Sequence, residues 1–182
     1  MLSHVLNSVA GRENYEYQNN SLFRCTFNFP KNLKVVEPAI LHEHVLNVTG
    51  LTNGPEIEVA TQQFLQARRN YASNNVDITQ RFEIAFSLNY NKVKENYVGK
   101  TFLRWRNYIQ DNATGRTALK RNYVGKITIE HFDREGTILW KRTLHNTWIT
   151  NVSGNIEFDV TNSEPAQLTC SFIADYFTEE QI

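Results

Sequence analysis

The ten residues Arg81–Tyr90, RFEIAFSLNY, alternate throughout: Phe82, Ile84, Phe86, Leu88 and Tyr90 against Arg81, Glu83, Ala85, Ser87 and Asn89. Successive side chains of an extended chain point to opposite faces, so this two-residue period predicts a strand buried on one face and wet on the other. Such a strand belongs to an antiparallel sheet, because strands of parallel sheets are covered on both faces and read as continuous apolar runs.

The same period recurs. LFRCTFNF puts Phe23, Cys25, Phe27 and Phe29 on one face, and GNIEFDVTN sets Ile156, Phe158 and Val160 against Glu157, Asp159 and Thr161. AILHEHVLNVTGL reads as one strand closed at Gly50, and NGPEIEVATQQF as a turn at Asn53-Gly54-Pro55 followed by another strand. KITIEHFDREGTILWKRTLHNTWI is a hairpin turning at Asp133–Gly136, and QLTCSFIADYF is the last strand. In GKTFLRWRNYIQD the period changes: Phe102, Trp105 and Ile109 fall at helical spacing, with Thr101 as a candidate N-cap.

Two polar stretches connect these elements. Residues Gln66–Ile78 form a long loop or protruding hairpin, a length uncommon in a domain unless it is used. NATGRTALKRNY is the second connection, and the pentapeptide NYVGK, at Asn96–Lys100 and Asn122–Lys126, reads as a repeated turn that opens a strand. The fold predicted is mainly β: an antiparallel β-sandwich or partly open barrel with one α-helix and long connecting loops. Residues 22–182 make one domain, preceded by a polar arm, residues 1–21, that a partner would order.

Composition narrows the function. Lys plus Arg and Asp plus Glu are both 19, and the zero net charge argues against a dedicated nucleic-acid binder while favouring contact between copies. The start lacks a secretory signal pattern, and no run approaches the ~18 apolar residues of a membrane span. Cys25 and Cys170 sit in apolar strand-like runs and read as buried thiols of a reducing compartment.

His42 and His44, on one face of the same predicted strand, fall short of the three or four ligands a zinc site needs, and His4, His131 and His145 add no spacing to them. No nucleophile elbow, P-loop, dinucleotide fingerprint or C-x-x-C is present, so neither catalysis nor a cofactor is expected. Trp140 and Trp148, eight residues apart on one strand face, suit the core or a subunit contact better than a base-stacking platform.

The order of these strings resembles the tail-tube proteins of contractile-tailed bacteriophages, which are related in fold to the type VI secretion tube protein. VTGL (Val48–Leu51) is followed by a Glu-bearing strand, and FLRWRNYI (Phe102–Ile109) stands where the family's single helix belongs. DREGTILWKRTLHNTWITNV resembles its hairpin, and TNSEPAQLTCSFIADYF its terminal strand. The resemblance spans Leu22 to Phe177; Ile149 stands where many members have proline, and Asn112–Asn122 is longer and more basic.

The resemblance implies a non-enzymatic structural protein forming stacked, hexameric rings: the inner tube of a virion tail, assembled in the host cytoplasm. Its partners would be further copies of itself, the tail sheath protein, and baseplate and tail-terminator proteins, with DNA passing through without specific binding. Gln66–Ile78 would reach the next ring through Arg68, Arg69, Tyr71 and Asp77. A conduit must not hold phosphates, so its wall should be polar with few cations. Glu56, Glu58, Glu83, Ser87 and Asn89 are the candidate lumen residues, with Arg81 the exception nearby. A baseplate tube initiator, a tailocin tube protein and a monomeric β-barrel holding a small ligand are the alternatives.

Overall fold

The structure of the chain, a computed structural model, describes residues 20–35, 37–54, 58–65, 67–73, 77–88, 96–154 and 166–181. Among these lie β1 (Phe23–Asn28), α1 (Ile40–Glu43), β2 (Val45–Thr49), β3 (Val59–Phe64), β4 (Ala67–Ala72) and β5 (Gln80–Ser87). They continue with α2 (Tyr97–Ile109), α3 (Lys120–Tyr123), β6 (Gly125–Phe132), β7 (Ile138–Gly154), β8 (Gln167–Ala174) and β9 (Tyr176–Gln181). The predicted arm, except Asn20 and Ser21, and the predicted strand through Ile156, Phe158 and Val160 lie outside the described residues.

All pairings among the described residues are antiparallel. The main sheet runs β1-β6-β7-β8-β5-β2 with β9 also on β7, while β3 and β4 form a hairpin of their own. Strand β7 is long because it serves three partners along its length. Its first part, Ile138–Thr147, pairs with β6, and Trp140–His145 also with β9; its second part, Trp148–Gly154, pairs with β8. The predicted β6–β7 turn forms at Asp133–Gly136: the Asp133 carboxylate accepts from the Glu135 and Thr137 amides at 2.9 and 2.7 Å. Gly136 supplies the left-handed φ of 87°.

Opposite the start of β6, Asn146 adopts φ 51° and the β6–β7 register slips. A bulge of this kind transfers the following side chains to the opposite face. Arg142 and Leu144 are buried before it, Thr147 and Ile149 after it. Trp140 and Trp148 therefore do not share a face, contrary to the reading from their spacing. Trp148 packs edge-on against Tyr123, with ring centroids 5.9 Å apart.

The alternation at β5 is borne out for Phe82, Ile84 and Phe86, which are 2%, 0% and 0% exposed. Ala85, on the other face, is also buried, and Tyr90 lies outside the described residues. The stripe predicted on the helix is the face α2 buries: Phe102 packs on Phe86 at 4.6 Å, Phe27 at 5.7 Å and Phe172 at 6.0 Å. Trp105 packs on Phe29 and Phe172, and its indole N–H donates to the Tyr123 carbonyl at 2.8 Å. Rings thus fill the interior that a small-ligand barrel would need empty. Cys25 and Cys170 are free, buried thiols, and burial pushes Cys25 up to about 12.

Three local readings are corrected. Asn96, not Thr101, caps α2: its Oδ1 accepts from the Gly99 amide at 3.0 Å, while Thr101 is buried inside the helix. NYVGK consequently opens a helix at Asn96 and leads into a strand at Asn122. The stretch read as one strand from Ala39 to Leu51 is a single helical turn followed by β2. The turn starts after Pro38, whose fixed φ and missing N–H suit a helix start.

That turn places His42 and His44 off any common strand face. The His42 Nδ1 accepts from the Cys25 amide at 3.2 Å, capping the outer edge of β1, while Leu41 beside it is fully buried. The sheet is not closed into a barrel, and the His42 contact covers part of one open edge.

Two outcomes follow from these contacts. A Cβ on Gly125 would lie 2.6 Å from the Asn28 carbonyl oxygen and 3.2 Å from the Trp105 ring, so Gly125→Ala should lower stability by about 1–3 kcal/mol in denaturant titration. Burial, reinforced by Arg24, holds His42 below its ordinary 6.5, so its contribution to stability is complete above that value and is lost as pH falls through the folded value. Between about pH 7 and pH 5, His42→Gln should flatten the decline in melting temperature. His145, also held low by burial and by Lys126, titrates in both proteins and cancels from the comparison.

Candidate assembly surfaces

Two features of the exterior stand apart from ordinary surface: an arm whose described side chains are all exposed, and a sheet face with few charges. The arm is the β3–β4 hairpin, paired from Val59↔Ala72 to Phe64↔Ala67. Every described side chain from Glu58 to Ala72 is exposed, including Val59 at 63%, Tyr71 at 47% and Leu65 at 106%. Strand alternation puts Arg69 and Tyr71 on one side of the ribbon and Arg68 on the other, opposite Gln63. Residues 59–72 carry two arginines and no carboxylate. An isolated two-stranded ribbon is at best marginally stable in water, so what holds this one is its root and whatever covers it.

The root is built from buried polar side chains. Gln80, 2% exposed, accepts through Oε1 from the Thr52 amide at 3.2 Å and the Thr52 hydroxyl at 3.0 Å. Arg142, 1% exposed, donates to the Thr52 carbonyl at 2.8 Å, to Asn53 Oδ1 at 3.1 Å and to Glu179 at 2.8 Å. Its guanidinium lies between the rings of Trp140 and Phe177, at 4.8 and 4.5 Å, and the Trp140 indole N–H donates to the same Glu179 carboxylate. Across the base of the ribbon the Ser73 amide donates to the Glu58 carbonyl at 2.7 Å. Arg142 reads in sequence as one more surface cation; nothing in its neighbours marks it as buried.

The candidate stacking residues therefore divide. Arg68, Arg69 and Tyr71 lie on the arm, whereas Asp77 lies beyond it, ahead of β5. The Asp77 carboxylate accepts from the Thr79 amide at 3.0 Å, and hydrogen bonds from Thr79, with the nearby charge of Arg81, hold it below the usual carboxylate range. Arg81, the one cation expected near the proposed wall, thus has a carboxylate in its field.

The second feature is the face of β2, β5, β8 and the end of β7 that is turned away from the core. Register aligns Thr49, Glu83, Ser171 and Asn151 in one transverse row, and Asn47, Ala85, Thr169 and Ser153 in the next. Ser171 donates its hydroxyl to Glu83 at 3.0 Å, while Thr150 and Ser153 bond the Ser171 and Thr169 carbonyls of the neighbouring strand. Of the predicted lumen residues, Glu83 and Ser87 belong to this face, Glu58 stands at the foot of the arm, and Glu56 and Asn89 lie outside the described residues. The hydroxyl and amide residues of β7 and β8 were not singled out from the sequence, although the alternation of Thr169 and Ser171 with Leu168, Cys170 and Phe172 carries the signal.

No family model and no curated protein matches the chain. Solved structures do. The sheath–tube complex of an extracellular contractile injection system in its extended state (PVC) contains a chain 14% identical to this one, covering 95% of this chain and 97% of the other at TM-score 0.63. A chain of the PVC sheath/tube terminator matches at 14% identity over 92% and 99%, also at 0.63. One from the six-fold symmetrised baseplate of the anti-feeding prophage matches at 9% identity over 92% and 97%, at 0.57. The chain has the fold of these contractile-injection-system components along nearly its whole length.

Arg142→Met removes every donor that ties the Thr52–Asn53 segment to β7 and should lower stability by about 2–4 kcal/mol, with faster hydrogen exchange at the Thr52 amide. Arg142→Lys should recover little of that loss, since one ammonium cannot replace a three-way fork held between two rings.

Proposed function

We propose that the chain is the tube subunit of a contractile injection particle. Copies join side by side into rings, six to a ring, and the rings stack into a hollow tube within a sheath, between a baseplate and a terminator. The observation that carries the reading is the arm: a charged, exposed ribbon on a root of buried, hydrogen-bonded side chains is built to be covered by another copy. The fold shared end to end with sheath–tube, terminator and baseplate chains supports it.

In this reading the Ser/Thr/Asn face of β2, β5, β8 and β7 lines the lumen, with Glu83 and Ser87 in the wall and Glu58 near it. Glu56 and Asn89 complete the proposed set. A cation row would hold DNA, whereas hydroxyl and amide groups offer phosphates no charge to release counterions against. Glu83 adds mild repulsion, on the order of 1 kcal/mol at 4 Å in water and screened within about 8–10 Å. The wall therefore lets a nucleic acid slide without gripping it, as delivery of a phage genome from a virion tail requires. Arg68, Arg69 and Tyr71 make the contact between rings, and Asp77 steadies the segment behind them.

The test is electron microscopy of the purified protein and of a variant in which residues 59–72 are replaced by a short glycine linker. The Glu58–Ser73 hydrogen bond already brings the ends of that deletion together. The intact chain should give stacked tubes at high concentration and the shortened chain single rings that do not stack. Tubes from the shortened chain would remove the arm from the stacking contact; monomers from the intact chain, even with a baseplate added, would overturn the tube assignment.

A further inference from the structure

The chain is neutral overall, yet its charge is not evenly spread. Residues 96–126 carry seven cations, Lys100, Arg104, Arg106, Arg116, Lys120, Arg121 and Lys126, against one carboxylate, Asp111. Of these, Lys120 is paired, with Asp175 at 2.6 Å. Arg104, Arg116, Arg121 and Lys126 are exposed and form no ion pair among the described residues. An excess this large on one segment of a balanced chain means an acidic remainder elsewhere, and it concentrates positive charge on the surface this segment covers.

The excess is also shaped. The loop from Asn28 to Val35 is tied over α2 by Asn32, whose amide donates to the Tyr108 hydroxyl at 3.1 Å. A groove lies on each side of it. One, about 500 Å³, is lined by Asn28 and Lys31 of the loop with Arg121, Asn122 and Lys126 opposite. The other, about 70 Å³, is lined by Leu33 and Lys34 with Tyr97 and Arg104 opposite. Among the described residues, neither is lined by a carboxylate. The floor of the larger one is fixed by the close approach of Gly125 to the Asn28 carbonyl, so the groove belongs to the core packing and not to loop fluctuation.

Direction identifies the partner. Helix α2 covers the core face of β5 and β8 through Phe102 and Trp105, and the proposed wall, rich in hydroxyl and amide groups, is the other face of those same strands. Groups on the outer side of α2 therefore look away from the wall. We propose that the outer face of α2, with the two grooves beside it, is the docking surface for an acidic segment of the protein shell that encloses the tube. This rests on the tube reading, which puts the wall inside and α2 outside. Lys31, Arg104, Arg121 and Lys126 supply the charge, and Asn28, Asn32 and Asn122 supply hydrogen bonds for an extended backbone. No aromatic ring in the larger groove is placed as a platform for stacked bases except the half-buried Phe29, which favours an acidic peptide over a nucleic acid.

The test uses the assembled protein and a fluorescent polyglutamate peptide of about 20 residues, with duplex DNA of matched charge as competitor, at about 50 mM and about 500 mM salt. Polyglutamate should bind at low salt and be released at high salt. The Arg104→Gln, Arg121→Gln, Lys126→Gln triple variant should bind roughly tenfold more weakly. Arg134→Gln, at the β6–β7 turn, should bind as the parent does, and unchanged melting curves would show the exposed substitutions leave the fold intact. Tubes that fail to bind the peptide, a triple variant that binds as well as the parent, or DNA displacing the peptide at equal charge would each overturn the proposal while leaving the tube reading in place. Absence of tubes, scored separately by microscopy, would overturn the reading on which it rests.

Discussion

Phe102 and Trp105 occupy the space where the sheet curls around on itself, and most of the molecule's arrangement descends from that contact. Phe102 touches rings from β1, β5 and β8 at once, so neither half of the sheet can move away without opening a cavity. Losing a buried aromatic of this kind typically costs about 3–5 kcal/mol. The contact also assigns faces. With α2 seated on the core side of β5 and β8, their other side is left for small polar groups, and the cationic side of the helix is directed away from it. A face of small polar groups and a basic face on opposite sides are two consequences of one packing decision.

The strand β7 solves the problem of joining the halves. A single strand pairs with β6 and β9 along its first part and with β8 along its second, and the bulge at Asn146 turns its buried face between them. Asn tolerates the left-handed backbone there better than most residues. Its amide donates to Asp175, which also receives Lys120, so the bend is braced by a charge pair from α3.

These two features divide what could be read in the sequence from what could not. Phe82, Ile84 and Phe86, the ring stripe of α2 and the Asp133–Gly136 turn were legible because each is a local pattern whose period or turn chemistry is complete within about ten residues. The face of Trp148 was not, because one left-handed residue between the two tryptophans reverses a parity argument. Thr101 and Asn96 compete as caps, and only the burial of Thr101 against the sheet decides between them. His42 read as one of two histidines on a strand face, too few for a metal site; its job depends on a strand edge 17 residues earlier in the chain. The burial of Arg142 depends on Thr52 and Glu179, partners too far along the chain for any local pattern to reveal. Among the candidate site residues, Arg68, Arg69 and Tyr71 were singled out by the length and polarity of their segment, which folds as the β3–β4 hairpin. The hydroxyl row on β8 was overlooked because serine and threonine on a wet face are unremarkable until register aligns them with Glu83 and Asn151.

The arm enters and leaves the domain at neighbouring points, Glu58 and Ser73, joined by a backbone hydrogen bond. Its length is therefore independent of everything beneath it. Inserting matched residues on both strands would extend it by about 3.3 Å for each pair without displacing a core side chain. A chain of this design carries an adjustable ruler on a fixed base, so related assemblies could differ in the reach of the arm while keeping one common body.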